Sequence, residues 1–135
     1  MRIVFDTNVL ISALLFENSI PAQAFLWAIK NGEVLISTAL ITEIHEVIYR
    51  PKFDKYITDS QREDFMLSLV ERSVLVDITE TIDVCRDPKD NMILELGVSG
   101  KASVIVTGDS DLLVLNPFRE IAILDSQTFL EKYSL

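Results

Sequence analysis

The sequence is poor in cysteine and histidine, two side chains that often act as nucleophile or base. Its 135 residues include one cysteine, Cys85, and one histidine, His45. A single cysteine excludes an internal disulfide, and we interpret the chain as a reduced, cytoplasmic protein. His45 has no partner visible in the sequence, and Cys85 has no histidine nearby. We therefore expect neither of them to carry catalysis.

Long apolar runs are also missing. The longest apolar stretches are too short to cross a bilayer, and residues 2–5 enter strand-like sequence directly, without the pattern of a signal peptide. Hydrophobic residues nevertheless make up 49% of the chain, which is ample for a core and argues against disorder. We expect one compact domain over residues 1–135 and no membrane segment.

Positive charge is scarce. Twelve Lys and Arg residues stand against 21 Asp and Glu residues, which gives a net charge of −9. This balance argues against a broad basic surface for nucleic acid. It leaves open a basic partner protein, and also a site in which metal cations bridge protein carboxylates to phosphates.

Short β-branched strands alternate with amphipathic helices along the whole chain. Strands are expected at about residues 3–5, 34–36, 74–76, 103–106 and 121–124. This alternation predicts an α/β fold with a parallel sheet and helices on both faces. Right-handed crossovers place the carboxyl end of every strand on one edge of the sheet, where ligands of such sheets bind.

Acidic side chains occur at these strand ends and at helix starts. Asp6 follows the first strand, and Asp109 and Asp111 follow the fourth. Two carboxylates so close repel each other unless a group such as a divalent cation compensates them. Plainer roles are also open, because Asp6 could cap the first helix, Asp111 could cap the turn after it, and Asp90 suits a helix first turn.

The third helix carries two glutamates in different positions. Glu43 comes three residues after Leu40 and four before Val47, so it lies beside the apolar stripe of that helix. Glu46 points away from the stripe. Glu43 is therefore the candidate site residue, with a rim glutamate extending to water as the alternative.

Together these residues resemble the PIN-domain ribonuclease pattern. Four short motifs match it in order and spacing: Asp6–Asn8, Glu43, Asp90 and Thr107–Asp111. The chain looks most like the single-domain prokaryotic branch that includes the VapC-type toxins of toxin–antitoxin pairs. The resemblance covers nearly the whole chain. It implies a three-layer α/β/α domain with a parallel five-stranded sheet in the order 3-2-1-4-5.

The resemblance also implies a metal-dependent endoribonuclease. A water activated by one or two Mg²⁺ or Mn²⁺ ions would hydrolyse RNA phosphodiesters and leave a 5′-phosphate and a 3′-hydroxyl. The implied catalytic and metal-binding acids are Asp6, Glu43, Asp90 and Asp109, with Asp111 as a further metal ligand. Asn8 and Thr107 would orient ligands and waters.

Contacts with RNA and with partners are expected from a few other residues. Arg86 and Lys89 flank Asp90, and Lys101 is expected near the same edge of the sheet. Further basic candidates lie after the Glu43 helix: Arg50, Lys52 and Lys55. The resemblance implies a small antitoxin and a homodimer. Candidate apolar contacts for the antitoxin are Ile20, Phe25, Trp27, Phe53 and Tyr56.

Two other functions remain open at this level. The first is a non-catalytic or regulatory PIN-like module that binds protein and keeps the acid cluster. The second is an aspartyl-phosphate phosphotransfer domain. Phosphatases of that kind carry a second Asp two residues after the first, where this chain has Asn8. Receiver domains carry a Lys after a late strand, where this chain has Thr107 and Gly108.

Overall fold

The computed structural model describes residues 1–134, over which the chain forms five strands and seven α-helices. The strands are β1 (Arg2–Phe5), β2 (Glu33–Ile36), β3 (Val74–Leu75), β4 (Val104–Val106) and β5 (Ala122–Leu124). The helices are α1 (Thr7–Leu15), α2 (Ile20–Asn31), α3 (Thr38–Ile48), α4 (Asp59–Arg72), α5 (Asn91–Ser99), α6 (Ser110–Leu113) and α7 (Ser126–Tyr133). Single 3-10 turns, Pro51–Phe53 and Pro88–Asp90, precede α4 and α5.

The strands form one parallel sheet in the order β3-β2-β1-β4-β5. This confirms the α/β class expected from the alternation of strands and helices, and the strand order that the family resemblance implies. β1 lies at the centre, and its register with β4 places Ile3 beside Val104 and Phe5 beside Val106. Each residue of 3–5 and 104–106 is 0% exposed. Continuous apolar strands of this kind are typical of a sheet covered on both faces.

Side chains of the central strands identify the helices on each face. The Phe5 ring contacts Phe25 of α2 and Phe129 of α7 edge-on, at 5.6 and 6.2 Å between ring centroids. Ile105 lies one residue out of phase with Phe5 and therefore points to the opposite face. There it lies against Gly97 of α5, where a Cβ would come within 3.0 Å of it. Helices thus cover both faces.

Polar residues cap the starts of several helices. Ser37 accepts a hydrogen bond from the Leu40 amide at 3.1 Å at the start of α3. Thr58 and Gln61 form a capping box at the start of α4. Asp87 caps the 3-10 turn Pro88–Asp90, and α5 itself begins at Asn91.

The inward face of α4 carries a charged residue. Leu69 is buried, Val70 is 46% exposed, and the other buried residue of the helix, two turns before Leu69, is Arg62. Nε of Arg62 donates to the Ile48 carbonyl at 2.7 Å, and its terminal nitrogens pair with Asp59 at 3.0 Å and Asp54 at 2.8 Å. A charged residue can occupy this interior position because each of its three side-chain nitrogens has a hydrogen-bond partner.

Within residues 1–134, no single helix is long and apolar enough to cross a membrane. The bent pair of α1 and α2 passes that test by length and composition alone.

Candidate functional site

The carboxyl ends of β1 and β4 bring Asp6 and Asp109 to the same edge of the sheet. The Asp6 amide continues the ladder beyond β1 and donates to the Val106 carbonyl at 3.0 Å. Asp109 follows β4 by three residues. The convergence predicted from right-handed crossovers is therefore present in the structure.

Asp6 is held by a partner on the neighbouring strand. It is 7% exposed and stands just before α1, yet its side chain makes no capping hydrogen bond within the described part of the chain. Its Oδ2 accepts instead the hydroxyl of Thr107 at 2.7 Å. Burial, the main cause, and the nearby charges of Glu43 and Asp109 raise its pKa, against the opposing effect of the Thr107 bond. Asp6 therefore occupies the N-cap position of α1 while its side chain bonds to Thr107, directly after β4.

Glu43 is fixed by a residue whose role the sequence did not reveal. The hydroxyl of Thr7 in the first turn of α1 donates to Oε2 of Glu43 at 2.5 Å. Glu43 is half-buried, whereas Glu46 is exposed, as their positions on α3 indicated. Only one signal pointed to Thr7, namely its place directly after Asp6 at the same sheet edge.

Asp90 ends the 3-10 turn before α5 rather than lying in the first turn of that helix. Among residues 1–134, its Oδ2 is buried without a hydrogen-bond partner. Burial, then the charge of Asp109 and a hydrogen bond with it, raise the pKa of Asp90 to about 7. The neighbouring Asn91 is buried, and its Oδ1 accepts the amides of Val84 and Cys85 at 3.1 and 2.9 Å. Asn91, which the sequence did not single out, fixes the backbone beside Asp90.

The loop after β4 holds two further carboxylates. Oδ1 of Asp109 accepts the Asp111 amide at 2.9 Å, so Asp109 and not Asp111 caps α6. Both side chains are half-buried. Asp90, Asp109 and Asp111 each offer a carboxylate oxygen, and these oxygens lie within 4.8 Å of one another.

A cavity of about 210 Å³ joins these elements. Its polar lining consists of five acids, two cations and two neutral side chains: Asp6, Glu43, Asp87, Asp90, Asp109, Arg50, Lys89, Thr7 and Asn8. Asp111 lies beside this lining. The four predicted catalytic acids therefore share one cavity, which we call the acidic cavity.

The acidic cavity fits a divalent cation. Carboxylate oxygens are the ligands that small divalent cations prefer, and clustered carboxylates without a cation repel one another. Asp90 belongs to this cluster, and within residues 1–134 its Oδ2 is buried without a hydrogen-bond partner. A cation there would supply the partner that this oxygen lacks.

The basic residues proposed for RNA contact separate into three positions. Lys89 lines the acidic cavity, as does Arg50. Arg86 is exposed beside the cavity lining. Lys101 precedes β4 and lines a different cavity, together with Ser103 and Arg119. The expectation that Lys101 lies near the catalytic edge is wrong, because a residue before a parallel strand lies at the opposite edge.

The environments of Cys85 and His45 do not favour catalysis by either side chain. Burial, followed by the charges of Asp90 and other acids, raises the pKa of the Cys85 thiol to about 11. A thiol of that pKa carries little nucleophilic thiolate near neutral pH. His45 is exposed and lies against the Tyr49 ring, with 4.7 Å between centroids.

Comparison with known proteins identifies the family of this α/β domain. Residues 2–111 match the family model described as PIN domain. The chain belongs to the PIN-domain family. This result confirms the resemblance carried by the four acidic motifs, and the members of this family are generally nucleases that use divalent metals.

This PIN domain has a relative in sequence and another in structure. It is 33% identical over 117 residues to an uncharacterised protein of Methanocaldococcus jannaschii. The aligned region covers 85% of this chain and 75% of that protein. Its fold is similar to that of a chain in the crystal structure of VapBC2 from Rickettsia felis, which was solved bound to a DNA fragment from the VapBC2 promoter. That match has a TM-score of 0.62 at 13% identity and covers 91% of this chain and 97% of the other. An identity this low shows the shared fold alone.

Proposed function

We propose that this PIN domain is a metal-dependent endoribonuclease. The observation that carries the proposal is the acidic cavity, where carboxylates from four separate segments meet and Oδ2 of Asp90 is buried with no partner in the range 1–134. A stable fold has no need of such an arrangement, because buried carboxylates without compensation cost free energy. Membership in a family of nucleases supports hydrolysis of phosphodiesters as its use.

In this proposal the side chains hold the reacting groups and supply no nucleophile of their own. Asp90, Asp109 and Asp111 offer oxygens to the metal, and Asp6 and Glu43 complete the acidic wall. When bound, Mg²⁺ or Mn²⁺ would lower the pKa of a water and offset charge on the phosphate. The hydroxyls of Thr107 and Thr7 keep the Asp6 and Glu43 carboxylates in fixed positions.

Cleavage of a labelled single-stranded RNA in Mg²⁺, in Mn²⁺ and in EDTA tests this proposal. We expect cleavage only with metal, and products with 5′-phosphate ends. Contaminating metal-independent ribonucleases use the 2′-hydroxyl and leave 5′-hydroxyl ends, so the product ends identify the source of the activity.

Variants of the acids test the assignment of the cavity. Asp6→Asn and Asp109→Asn should lower the rate at least about 100-fold, because they remove metal-facing charge. Asp64→Asn, a change of the same chemistry on an exposed residue of α4, should have no effect. Full metal-dependent activity of Asp109→Asn would show the assignment to be wrong.

The proposal extends to an antitoxin partner. The fold similarity to VapBC2 supports a role as the toxin of a toxin–antitoxin pair. A cavity of about 600 Å³ between α1, α2 and α4 is a suitable apolar groove, and Phe25, Leu26 and Tyr56 line it. Of the other candidate contacts, Trp27 packs against Phe129 at 5.5 Å instead.

Inhibition of RNA cleavage by a small protein encoded next to this chain tests the partner. We expect full inhibition at a 1:1 ratio. Leu26→Asp should reduce that inhibition, measured against the variant's own uninhibited rate, because it places a charge in the apolar groove. Val114→Asp changes an equally apolar residue, 77% exposed, outside the groove and should be inhibited normally. Equal inhibition of both variants would exclude the groove as the docking site.

A further inference from the structure

A second cavity of about 470 Å³ adjoins the acidic cavity and has a different chemistry. Asn8 lines both cavities. The rest of the second lining includes two lysines and three aromatic rings: Lys52, Lys55, Phe16, Phe53 and Tyr56. We call these five side chains the lysine–aromatic surface. Lys52 of this surface comes two residues after Arg50, which lines the acidic cavity itself.

Positive charge is concentrated in this segment and is not neutralised by the protein. Arg50, Lys52 and Lys55 are three of the 12 Lys and Arg residues in a chain of net charge −9. In the part of the chain that the structure describes, none of the three forms an ion pair. The acid between them, Asp54, is paired with Arg62 at 2.8 Å. The three cations therefore remain available to an anionic ligand.

Aromatic rings alternate with these cations. Nζ of Lys52 lies 5.0 Å from the Phe53 ring centre, and Nζ of Lys55 lies 5.2 Å from that of Tyr56. Phe16 and Tyr56 are 49% and 50% exposed, and their rings meet edge-on with 5.9 Å between centroids. Exposed rings beside cations are the combination that stacks unpaired bases and binds the phosphates between them.

The segment that carries these side chains has a defined conformation. The Phe53 amide donates to the Arg50 carbonyl at 3.0 Å, and the Ile57 amide donates to the Phe53 carbonyl at 3.1 Å. The bonds of the buried Arg62 to Asp54 and to the Ile48 carbonyl tie the segment to α3. A surface already held in place loses little conformational entropy when a ligand binds.

We infer that the lysine–aromatic surface binds single-stranded RNA next to the phosphodiester in the acidic cavity. This inference rests on the proposed ribonuclease function and names its substrate class. Unpaired nucleotides offer both phosphates for the lysines and open base faces for the rings, whereas bases in a duplex are already stacked. Asn8 lines both cavities, so the cavities adjoin and one RNA strand can occupy them in succession.

Fluorescence anisotropy with a labelled RNA of about ten nucleotides, in EDTA to prevent cleavage, tests the lysines. Lys52→Ala/Lys55→Ala should raise the Kd about tenfold and reduce the slope of log K against log salt by about 1.4, from two lost phosphate contacts. Lys30→Ala/Lys132→Ala is the matched control. It removes the same charge, and Lys132 also lies over its neighbouring ring, Tyr133, at 5.3 Å. The control should bind like wild type.

Stacking is tested at Tyr56. Tyr56→Ala should weaken binding at least about fivefold, and Tyr56→Trp should restore it, because any flat ring offers a face to a base. A duplex of the same sequence should bind at least about tenfold more weakly than the single strand. In the cleavage assay the lysine variant should raise KM and leave kcat unchanged, since it acts on binding and not on the acidic cavity.

The outcomes separate the two proposals. If the lysine variant and its control bind RNA with equal affinity, the lysine–aromatic surface does not bind RNA, even where wild-type protein cleaves RNA. If wild-type protein binds RNA with the expected pattern but cleaves none, the ribonuclease proposal fails and the surface stands. If the lysine variant binds RNA normally but resists the antitoxin, the surface is a protein-docking site and our inference is wrong.

Discussion

Thr107 donates its hydroxyl to the Asp6 carboxylate at 2.7 Å, across a sequence separation of 101 residues. The same hydroxyl oxygen accepts the Asp109 amide at 3.0 Å. One fully buried side chain therefore connects the acids that follow β1 and β4. The distance between two walls of the acidic cavity is set by this hydroxyl as well as by the strands.

Thr107→Val tests that connection, because valine keeps the shape and removes the hydroxyl. We expect the affinity for Mn²⁺, measured by isothermal titration calorimetry, to fall about 10- to 100-fold, as it does when partners of metal ligands are removed. Thr107→Ser should retain the affinity. Thr128→Val, the same change at an exposed position of α7, serves as the control. If Thr107→Val binds Mn²⁺ with unchanged affinity, the hydroxyl does not position the metal ligands and Thr107 contributes only to packing.

Protonation of Asp90 should be visible in the stability of the metal-free protein. Its pKa is raised from 3.8 to about 7, so the folded state holds this proton more tightly than the unfolded state. The resulting stabilisation is complete below the unfolded pKa and is lost as pH rises through the folded pKa. Between these two values the Tm in EDTA should fall more steeply for wild type than for Asp90→Asn. Asp6, whose pKa is also raised, contributes with the same sign to both proteins. Parallel curves would contradict this account of Asp90.

A divalent cation should stabilise the fold. At a free Mn²⁺ concentration of 100 times its Kd, linkage raises the free energy of unfolding by about 2.7 kcal/mol. Asp109→Asn should lose most of this gain, because it removes one of the three clustered carboxylate ligands. Thermal unfolding with and without Mn²⁺ measures both. Equal stabilisation of Asp109→Asn and wild type would locate the metal elsewhere.

Much of the fold, and the meeting of the acids, was predictable from local patterns. β-branched runs such as Ser103–Val106 marked the strands, and right-handed crossovers placed Asp6 and Asp109 at one edge. The apolar stripe of α3 separated Glu43 from Glu46, because helical spacing is a local property. The order of the strands came from the family resemblance, since periodicity does not fix which strands are neighbours.

Contacts between side chains on different elements were not predictable in this way. The hydrogen bond from Thr7 to Glu43 depends on how α1 and α3 pack, and neither residue reveals it alone. Nothing in the sequence marks Arg62 as a buried residue, because its partners Asp54 and the Ile48 carbonyl come together only in the fold. The error over Lys101 arose because closeness in sequence to β4 does not indicate which end of the strand a residue is near.

Arg62 should be a stability determinant rather than a site residue. Arg62→Ala leaves the buried Ile48 carbonyl without its donor and breaks both ion pairs, which we expect to cost about 3 kcal/mol. Arg72→Ala, an exposed change in the last turn of the same helix, should cost less than about 0.5 kcal/mol. Urea unfolding of the two variants measures the difference. Similar losses would show that the buried contacts of Arg62 contribute little.

The paired variants Glu43→Gln and Glu46→Gln test the central claim most directly, because they make one chemical change three residues apart on α3. Only Glu43 lines the acidic cavity. Single-turnover cleavage of RNA in Mn²⁺ should slow at least about 100-fold for Glu43→Gln and stay at the wild-type rate for Glu46→Gln. Equal rates for the two variants would contradict an active site built from the carboxylates of the acidic cavity.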